Sequence, residues 1–337
     1  MARKKRTNKK TKQAKSRSPS ALRRWWQGLD DERRGRLLRF CAWAFAIVAV
    51  VAGGAWGLKR LEQRVIARST QADVKLAVRL AGRPGWMPTS VLERIAADMV
   101  ADCGGYHQRD LTTNVYENAL SEPWIRSVTR VRKYRSDAGK LGVVEVEADY
   151  RRPIARAGSN GRYHYVDAEG VRLPDSEVPK YMMESNGRRE YFTGPAAMTT
   201  GAQPRRLHYI VIELHSEFDP SAPAVGQAWN SEALAEGLKL VGRVLDEPYA
   251  DEITVVDVRN YRCREVSNEP ELTMYAQTGR ERHTRILFGR FPEPGGDFVI
   301  PPERKFTYLD SFYAENGRLT GLARELDLRH DHLLVIP

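Results

Sequence analysis

Residues 40–58 read FCAWAFAIVAVVAGGAWGL, a run of nineteen residues without a charged side chain. A helix needs about 20 apolar residues to cross the hydrocarbon core of a bilayer, so this run has the length of a membrane span. The preceding residues 1–39 carry fifteen Lys and Arg against three acids, whereas the net charge of the whole chain is +11. The basic surplus therefore lies entirely on the N-terminal side of the span.

Short segments rich in Lys and Arg are retained in the cytoplasm. The sequence therefore predicts a single-pass membrane protein with a basic tail (1–39) inside, a transmembrane helix from Phe40 to Leu58, and a large C-terminal body outside. A cleaved signal peptide is the alternative, because Gly53 and Ala55 offer a small-x-small site. The apolar core of a signal peptide spans only about 7–15 residues, however, and this run is longer.

The distribution of charge also limits the partners of the tail and of the body. We expect the basic tail to lie against anionic lipid. The high isoelectric point could indicate nucleic-acid binding, but that signal disappears once the tail is set aside, because the residues after it are close to neutral. We therefore expect no nucleic-acid partner.

The first part of the body has the pattern of a small α+β unit. Hydrophobic periodicity and turn residues predict a strand at Val74–Leu80, a helix from Ser90 to about Cys103, a helix at Leu111–Leu120, and strands at Ile125–Tyr134 and Val143–Tyr150. Ser90 and Glu93 form a capping-box pattern, and Asp110 is an N-cap residue type directly before the second helix. The predicted order is β-α-α-β-β.

After Pro153 the pattern changes to short strands and turns with two helices. We expect strands at Tyr163–Val166, His208–His215, Ile253–Arg259, Glu271–Gln277, His283–Phe288 and Leu326–Ile336, and helices at Ser231–Asp246 and Glu303–Ala314. Residues Pro174–Pro204 are polar and irregular, which predicts a loop. The predicted fold class is α+β, with a transmembrane helix, a β-α-α-β-β unit and a mixed β-sheet domain with flanking helices.

The residues that carry chemistry form no recognisable catalytic constellation. No nucleophile-elbow motif and no Gly-x-x-x-x-Gly-Lys-Ser/Thr phosphate loop occur in the sequence. Cys103 and Cys263 have no metal-ligand spacing, and either one long-range disulfide or two separate thiols fits the sequence. We therefore expect no enzymatic activity, cofactor, metal or small-molecule substrate.

Several motifs, taken in order, resemble the FtsQ/DivIB family of bacterial cell-division proteins. The matching segments are Glu122–Val128 with its Pro-Trp pair, Arg151–Ala155, Tyr165–Val171, Leu272–Arg280 followed by Arg285–Gly289, Lys305–Leu309 and Glu325–Arg329. In that family a basic cytoplasmic tail and one span precede a POTRA domain and then a β domain. The resemblance implies a tail at 1–39, a span at 40–58, a linker at 59–71, a POTRA-like domain at 72–151 and a β domain at 152–337.

The same resemblance implies a function in partner binding at the division septum of the inner membrane. It implies that the C-terminal edge, about Leu326–Ile336, docks bitopic division proteins of the FtsB/FtsL type by strand addition, and that other divisome components bind as well. The residues expected to carry this binding are Asp327, Arg329, Leu333, Val335, Tyr308 and Phe312. Leu328, Leu334 and Ile336 offer further apolar contacts or close the core of the β domain.

Two departures from the family pattern and two other functions stay open. Arg130 stands where a strand of the family has an apolar residue, which predicts shifted strand pairing there, and Asp175–Arg206 is longer than usual. The alternative functions are a POTRA-containing adaptor for protein assembly or transport at the envelope, and an anchored enzyme whose site the sequence does not reveal.

Overall fold

The computed structural model describes residues 31–71, 75–136, 141–185, 187–194, 204–278, 283–292 and 299–337. The chain divides into two units, Met1–Ala72 and Asp73–Pro337. Residues 1–30 of the predicted basic tail, and Val74 at the start of the first predicted strand, lie outside the described residues.

The first unit contains helix α1, Asp31–Gln71. Within it, Ala42–Arg64 is long and apolar enough to cross a membrane, and none of this segment is buried. The apolar run that opened the sequence is therefore part of a helix of membrane-spanning length. The helix continues through residues 59–71, the expected linker. This segment contains no Gly or Pro that would end a helix.

The second unit begins with a three-stranded sheet and two helices. The elements are β1 (Lys75–Ala81), α2 (Thr89–Asp98), α3 (Leu111–Ser121), β2 (Ile125–Arg135) and β3 (Leu141–Tyr150). The sheet order is β1-β3-β2, with β1 parallel and β2 antiparallel to β3. The elements follow in the predicted order β-α-α-β-β, and we call residues 75–151 the N-terminal lobe.

The start of α2 differs from the sequence prediction. Pro88 occupies the N-cap and no side chain caps the helix, so Ser90 lies inside the first turn and the expected capping box is wrong. The helix ends at Asp98 rather than near Cys103, because Val100, Ala101 and Cys103 donate to carbonyls only three residues back. By contrast, α3 begins directly after Asp110, as expected.

Alternation along β3 places one row of side chains in the core of the N-terminal lobe. This core contains Val144, Val146 and Ala148 of β3, Val91, Leu92 and Ile95 of α2, and Leu111, Val115 and Ala119 of α3. The register of β2 against β3 shifts between Val128 and Arg130, which confirms the shift expected at Arg130. A local shift of this kind keeps the apolar residues of a strand on the core side despite an extra residue.

The remaining strands follow in chain order. They are β4 (Ala155–Ser159), β5 (Arg162–Val166), β6 (Tyr181–Ser185), β7 (Arg188–Phe192), β8 (Arg205–Arg206), β9 (Ile210–Glu213), β10 (Ile253–Asp257), β11 (Leu272–Ala276), β12 (Thr284–Gly289), β13 (Glu325–Asp327) and β14 (Leu334–Ile336). Eight of them form one mixed sheet in the order β14-β13-β12-β11-β10-β9-β4-β5, and β7-β6-β8 form a small second sheet. We call residues 152–337 the C-terminal lobe.

Two helices cover the core face of the large sheet. Helix α4 (Glu232–Val244) is capped at its N-terminus by Ser231, whose Oγ accepts a hydrogen bond from the Leu234 N–H at 3.1 Å. Helix α5 (Pro302–Asn316) contributes Phe306, Leu309 and Phe312 to the core. Tyr313, which neighbours Phe312 in the sequence, is only partly buried against this core.

Two stretches of the C-terminal lobe fold differently from the prediction. The stretch Pro174–Pro204, expected to be a loop, contains the hairpin of β6 and β7. β6 reads YMMES and β7 reads RREYF, so apolar and charged residues are grouped and lack the alternation on which strand prediction depends. The predicted single strand at Leu326–Ile336 is wrong as well, because β13 and β14 pair antiparallel across a turn. Cys103 and Cys263 are both free thiols.

A partly buried ion cluster joins the two lobes. Trp124 is fully buried, and its Nε1–H donates to Glu177 Oε2 at 2.7 Å. Arg94 of α2 donates to the same oxygen at 2.7 Å and to Glu122 Oε1 at 2.7 Å. Glu177 therefore links the Pro-Trp segment of the N-terminal lobe to the chain that leads into β6.

Two substitutions of Glu177 separate its hydrogen bond with Trp124 from its ion pair with Arg94. We expect Glu177→Ala to lower the free energy of unfolding by about 2 kcal/mol, because the Trp124 N–H and one nitrogen of Arg94 lose their acceptor. Glu177→Gln keeps an acceptor for Trp124 and costs less. Chemical denaturation of the detergent-solubilised chain measures both, and equal losses for Ala and Gln would contradict this account.

A lysine in the core of the C-terminal lobe is held by backbone carbonyls. Lys305 of α5 is 2 % exposed, and its Nζ donates to the carbonyls of Phe288 at 2.7 Å and Arg290 at 3.0 Å. The two carbonyls flank Gly289, whose φ of +86° is one that residues with a side chain rarely adopt. Burial lowers the pKa of Lys305 to about 8.

The lowered pKa of Lys305 predicts a dependence of stability on pH. Between about pH 8 and the unfolded-state pKa of about 10.4, the unfolded chain holds a proton that the folded protein has released. The contribution of Lys305 to the free energy of unfolding therefore rises with pH in that window. We expect the unfolding free energy of wild type minus that of Lys305→Met to increase by about 1 kcal/mol from pH 8 to pH 9.5. A constant difference would show that Lys305 stays protonated.

Candidate partner-binding edge

Strand β14 forms one end of the eight-stranded sheet and is open on its outer side. It pairs with β13 through Leu334, Val335 and Ile336. Among the described residues, no group hydrogen-bonds to β14 from the side away from β13. Val335 is 48 % and Ile336 44 % exposed. This edge therefore presents both unpaired backbone and apolar side chains.

The hydrogen-bond pattern identifies which backbone groups of β14 point outward. Arg285 of β12 donates to the Arg324 carbonyl, and the Leu328 N–H donates to Leu287 of β12. Because alternate residues of a strand direct their N–H and C=O to the same side, Leu326 also faces β12. Val335, opposite Leu326 in the register, therefore directs its N–H and C=O away from β13.

Two of the other sheet edges of the second unit are covered or charged. At the opposite end of the large sheet, the Tyr165 N–H of β5 donates to Asp175 Oδ1 and its carbonyl accepts from the Leu173 N–H. In the N-terminal lobe, the edge strand β2 reads IRSVTRVRKYR and carries five Arg and Lys. Charged side chains on an edge oppose the addition of another strand. In contrast, β14 reads LVI.

The turn between β13 and β14 is anchored on helix α5. The Tyr308 hydroxyl donates to the Asp331 carbonyl, and Arg304 Nη2 donates to the same carbonyl at 3.0 Å. The Arg304 guanidinium also lies over the Tyr308 ring. Tyr308 therefore has a structural contact in the place where the sequence predicted a partner contact. Arg304 was not among the predicted residues.

Asp327 and Arg329 fix the start of this turn. Asp327 Oδ1 accepts from the Arg329 backbone N–H at 3.0 Å and from its Nε at 2.9 Å, and Oδ2 accepts from Nη2 at 2.7 Å. His330 Nε2 lies 3.4 Å from the same Oδ2. Burial acts to raise the pKa of Asp327, but the hydrogen bonds from Arg329 outweigh it and hold the pKa below its usual range.

The same Asp-x-Arg arrangement occurs at the end of β10. Asp257 Oδ1 accepts from the Arg259 backbone N–H at 3.0 Å and from its Nε at 3.0 Å, and Oδ2 accepts from Nη2 at 2.6 Å. The residue between the Asp and the Arg is buried in both arrangements: it is Val258 at the end of β10 and Leu328 at the end of β13. The repeated Asp-x-Arg spacing was a signal that sequence reasoning did not use. It indicates that Asp327 and Arg329 primarily shape a turn.

The remaining predicted residues divide between the core and the surface. The resemblance implied that Phe312 contacts a partner. In the structure its side chain is 9 % exposed and belongs to the core of the C-terminal lobe. Leu328 is fully buried, and Leu333 is partly buried against the same core. Among the six residues expected to bind a partner, only Val335 combines an exposed side chain with an outward-facing backbone. The structure therefore narrows the candidate site to β14.

Comparison with known proteins adds no relative to this description. No protein-family model matches the sequence, and no curated protein matches it. The class that the described residues define is an α+β body with mixed sheets, preceded in the chain by one helix of membrane-spanning length.

The Asp327–Arg329 pair predicts an acid-dependent loss of stability. Because the folded-state pKa of Asp327 is lowered, its contribution is fully present above the unfolded-state pKa of about 3.9 and is lost as pH falls through the folded-state pKa. We expect Asp327→Asn to cost about 1–3 kcal/mol of unfolding free energy at pH 6. The difference from wild type shrinks toward pH 2.5.

Asp331→Asn is the matched control for this measurement. Its side chain is 83 % exposed and lies 3.6 Å from Arg304, and the carbonyl that holds Tyr308 and Arg304 is unchanged by the substitution. We expect it to cost less than about 0.5 kcal/mol at either pH. Equal effects of the two substitutions would contradict the assignment of Asp327 as the residue that fixes the turn.

Proposed function

We propose that this protein is a non-enzymatic, membrane-anchored scaffold of the bacterial cell-division complex, of the FtsQ/DivIB type. The observation that carries the proposal is the open apolar edge at β14. In the proposed arrangement, α1 crosses the inner membrane with the basic tail in the cytoplasm and against anionic lipid, and the body lies on the periplasmic side.

The topology of the N-terminal lobe supports its assignment as a POTRA domain. Its elements follow the order β-α-α-β-β, and its sheet order is β1-β3-β2. The Pro-Trp pair that resembles the family motif directly precedes β2, where Trp124 is fully buried. In this role the lobe contacts other components of the division complex.

The proposed mechanism of binding is strand addition at β14. An extended segment of an FtsB/FtsL-like bitopic protein pairs with the outward N–H and C=O of Val335, and its side chains contact Val335 and Ile336. Each backbone hydrogen bond contributes only about 0.5–1.5 kcal/mol net, so three-residue β14 binds weakly by itself. Confinement of both partners to one membrane raises their effective concentration and strengthens the interaction.

The outward direction of the Val335 N–H makes one substitution informative. Proline at 335 removes this donor but none of the hydrogen bonds to β13, and edge strands tolerate proline. Val335→Ala removes more apolar area than proline does and keeps the donor, so it controls for loss of the Val335 side chain. We expect a fluorescent fusion of the full chain to concentrate at the septum as wild type and as Val335→Ala, and to distribute evenly along the membrane as Val335→Pro.

Two results would contradict the proposal in different ways. A wild-type fusion spread evenly over the membrane of dividing cells would count against a division function altogether. Septal enrichment of Val335→Pro equal to that of Val335→Ala would leave the division function standing but exclude strand addition at β14. Protease resistance of the purified Val335→Pro chain is the check that it folds.

A further inference from the structure

A second surface of the C-terminal lobe carries a pocket lined by basic residues. The pocket has a volume of about 290 Å³, and its lining includes Arg156, Tyr165, Lys180, Arg206, His208 and Tyr209. No acidic residue lines it. It lies on the face of the large sheet opposite the core, because Ala155 and Ala157 of β4 point into the core and Arg156 lies between them.

The three cations of this pocket have no ion-pair partner among the described residues. Most other Arg side chains of the C-terminal lobe are paired, and Arg205, the neighbour of Arg206 in β8, lies 2.6 Å from Asp251. Residues 195–203, which precede β8 in the sequence, contain no Asp or Glu. Three positive charges therefore share a concave surface that offers them no counter-charge from the described protein.

Arg156 is held in place by aromatic rings rather than by acids. Its guanidinium lies 5.5 Å from the ring centres of both Tyr163 and Tyr165. Its Nε is buried and makes no hydrogen bond within the described structure. A buried donor without an acceptor costs free energy, so the Arg156 guanidinium has unused hydrogen-bonding capacity beside the pocket.

We propose that this pocket binds a phosphate group. Arginine presents a planar set of N–H donors that matches phosphate oxygens, and lysine adds a point charge. A phosphate or diphosphate carries enough negative charge to balance several cations, whereas a single carboxylate balances one. Because the pocket is not on β14, this site is independent of the proposed division function. The phosphate comes from a lipid headgroup or from a soluble phosphate.

Calorimetric titration of pyrophosphate into the full chain tests the site. The chain is reconstituted in nanodiscs of phosphatidylcholine, as wild type, as the double variant Lys180→Gln with Arg206→Gln, and as Arg205→Gln. Arg205→Gln removes the same type of charge from the adjacent residue, outside the pocket. We expect the double variant to weaken pyrophosphate binding at least about tenfold and Arg205→Gln to change it less than about twofold.

The composition of the nanodisc distinguishes the two sources of phosphate. If phosphatidylglycerol in the disc weakens pyrophosphate binding more than a charge-matched disc with oleate, a lipid headgroup occupies the pocket; equal effects indicate a soluble ligand. Either result supports a phosphate site. Absence of pyrophosphate binding to wild type, or equal weakening by Arg205→Gln and the double variant, would overturn the proposal.

Discussion

An open β-sheet must satisfy or protect the backbone groups along its two outer strands, and this constraint organises the C-terminal lobe. At β5 the chain meets it internally, since Leu173 and Asp175 bond to the backbone of Tyr165. At the other end, no described residue hydrogen-bonds to the outer side of the three-residue β14. Apolar Val335 and Ile336 at such an edge do not oppose the addition of a further strand.

A three-residue edge strand needs support from outside its own ladder to keep its register. In this protein the support comes from the turn that precedes β14. Asp327 and Arg329 shape the start of the turn, and Tyr308 and Arg304 of α5 hold the carbonyl of Asp331 at its far side. The residues that the family resemblance suggested for binding therefore serve mainly to present β14, and Phe312 lies beneath them in the core.

The sequence predicted those elements whose periodicity is strong and local. The apolar run in α1 and the alternation in β3 each have one reading, and the structure has these elements. The stripe of Leu234, Leu238, Val241 and Leu245 also predicts α4, but Leu245 follows the end of that helix and is 42 % exposed. The hairpin of β6 and β7 was missed because the apolar residues of each strand are grouped at one end and do not alternate with polar ones. The division of the last strand into β13 and β14 depends on contacts of Asp327 and Asp331 that periodicity does not encode. Likewise, Arg156, Lys180 and Arg206 share a pocket only because β4, β6 and β8 converge.

The separation of charge along the chain is consistent with two different kinds of binding. The basic surplus is concentrated in residues 1–39, while the rest of the chain is close to neutral. Within the described part of the C-terminal lobe, most Arg side chains are paired with acids, so unpaired cations are informative where they cluster. The pocket around Arg156 is such a cluster, and β14 is its opposite, an edge without charge. An anion can neutralise the first and an extended apolar segment can complete the second, so neither ligand competes with the other for its site.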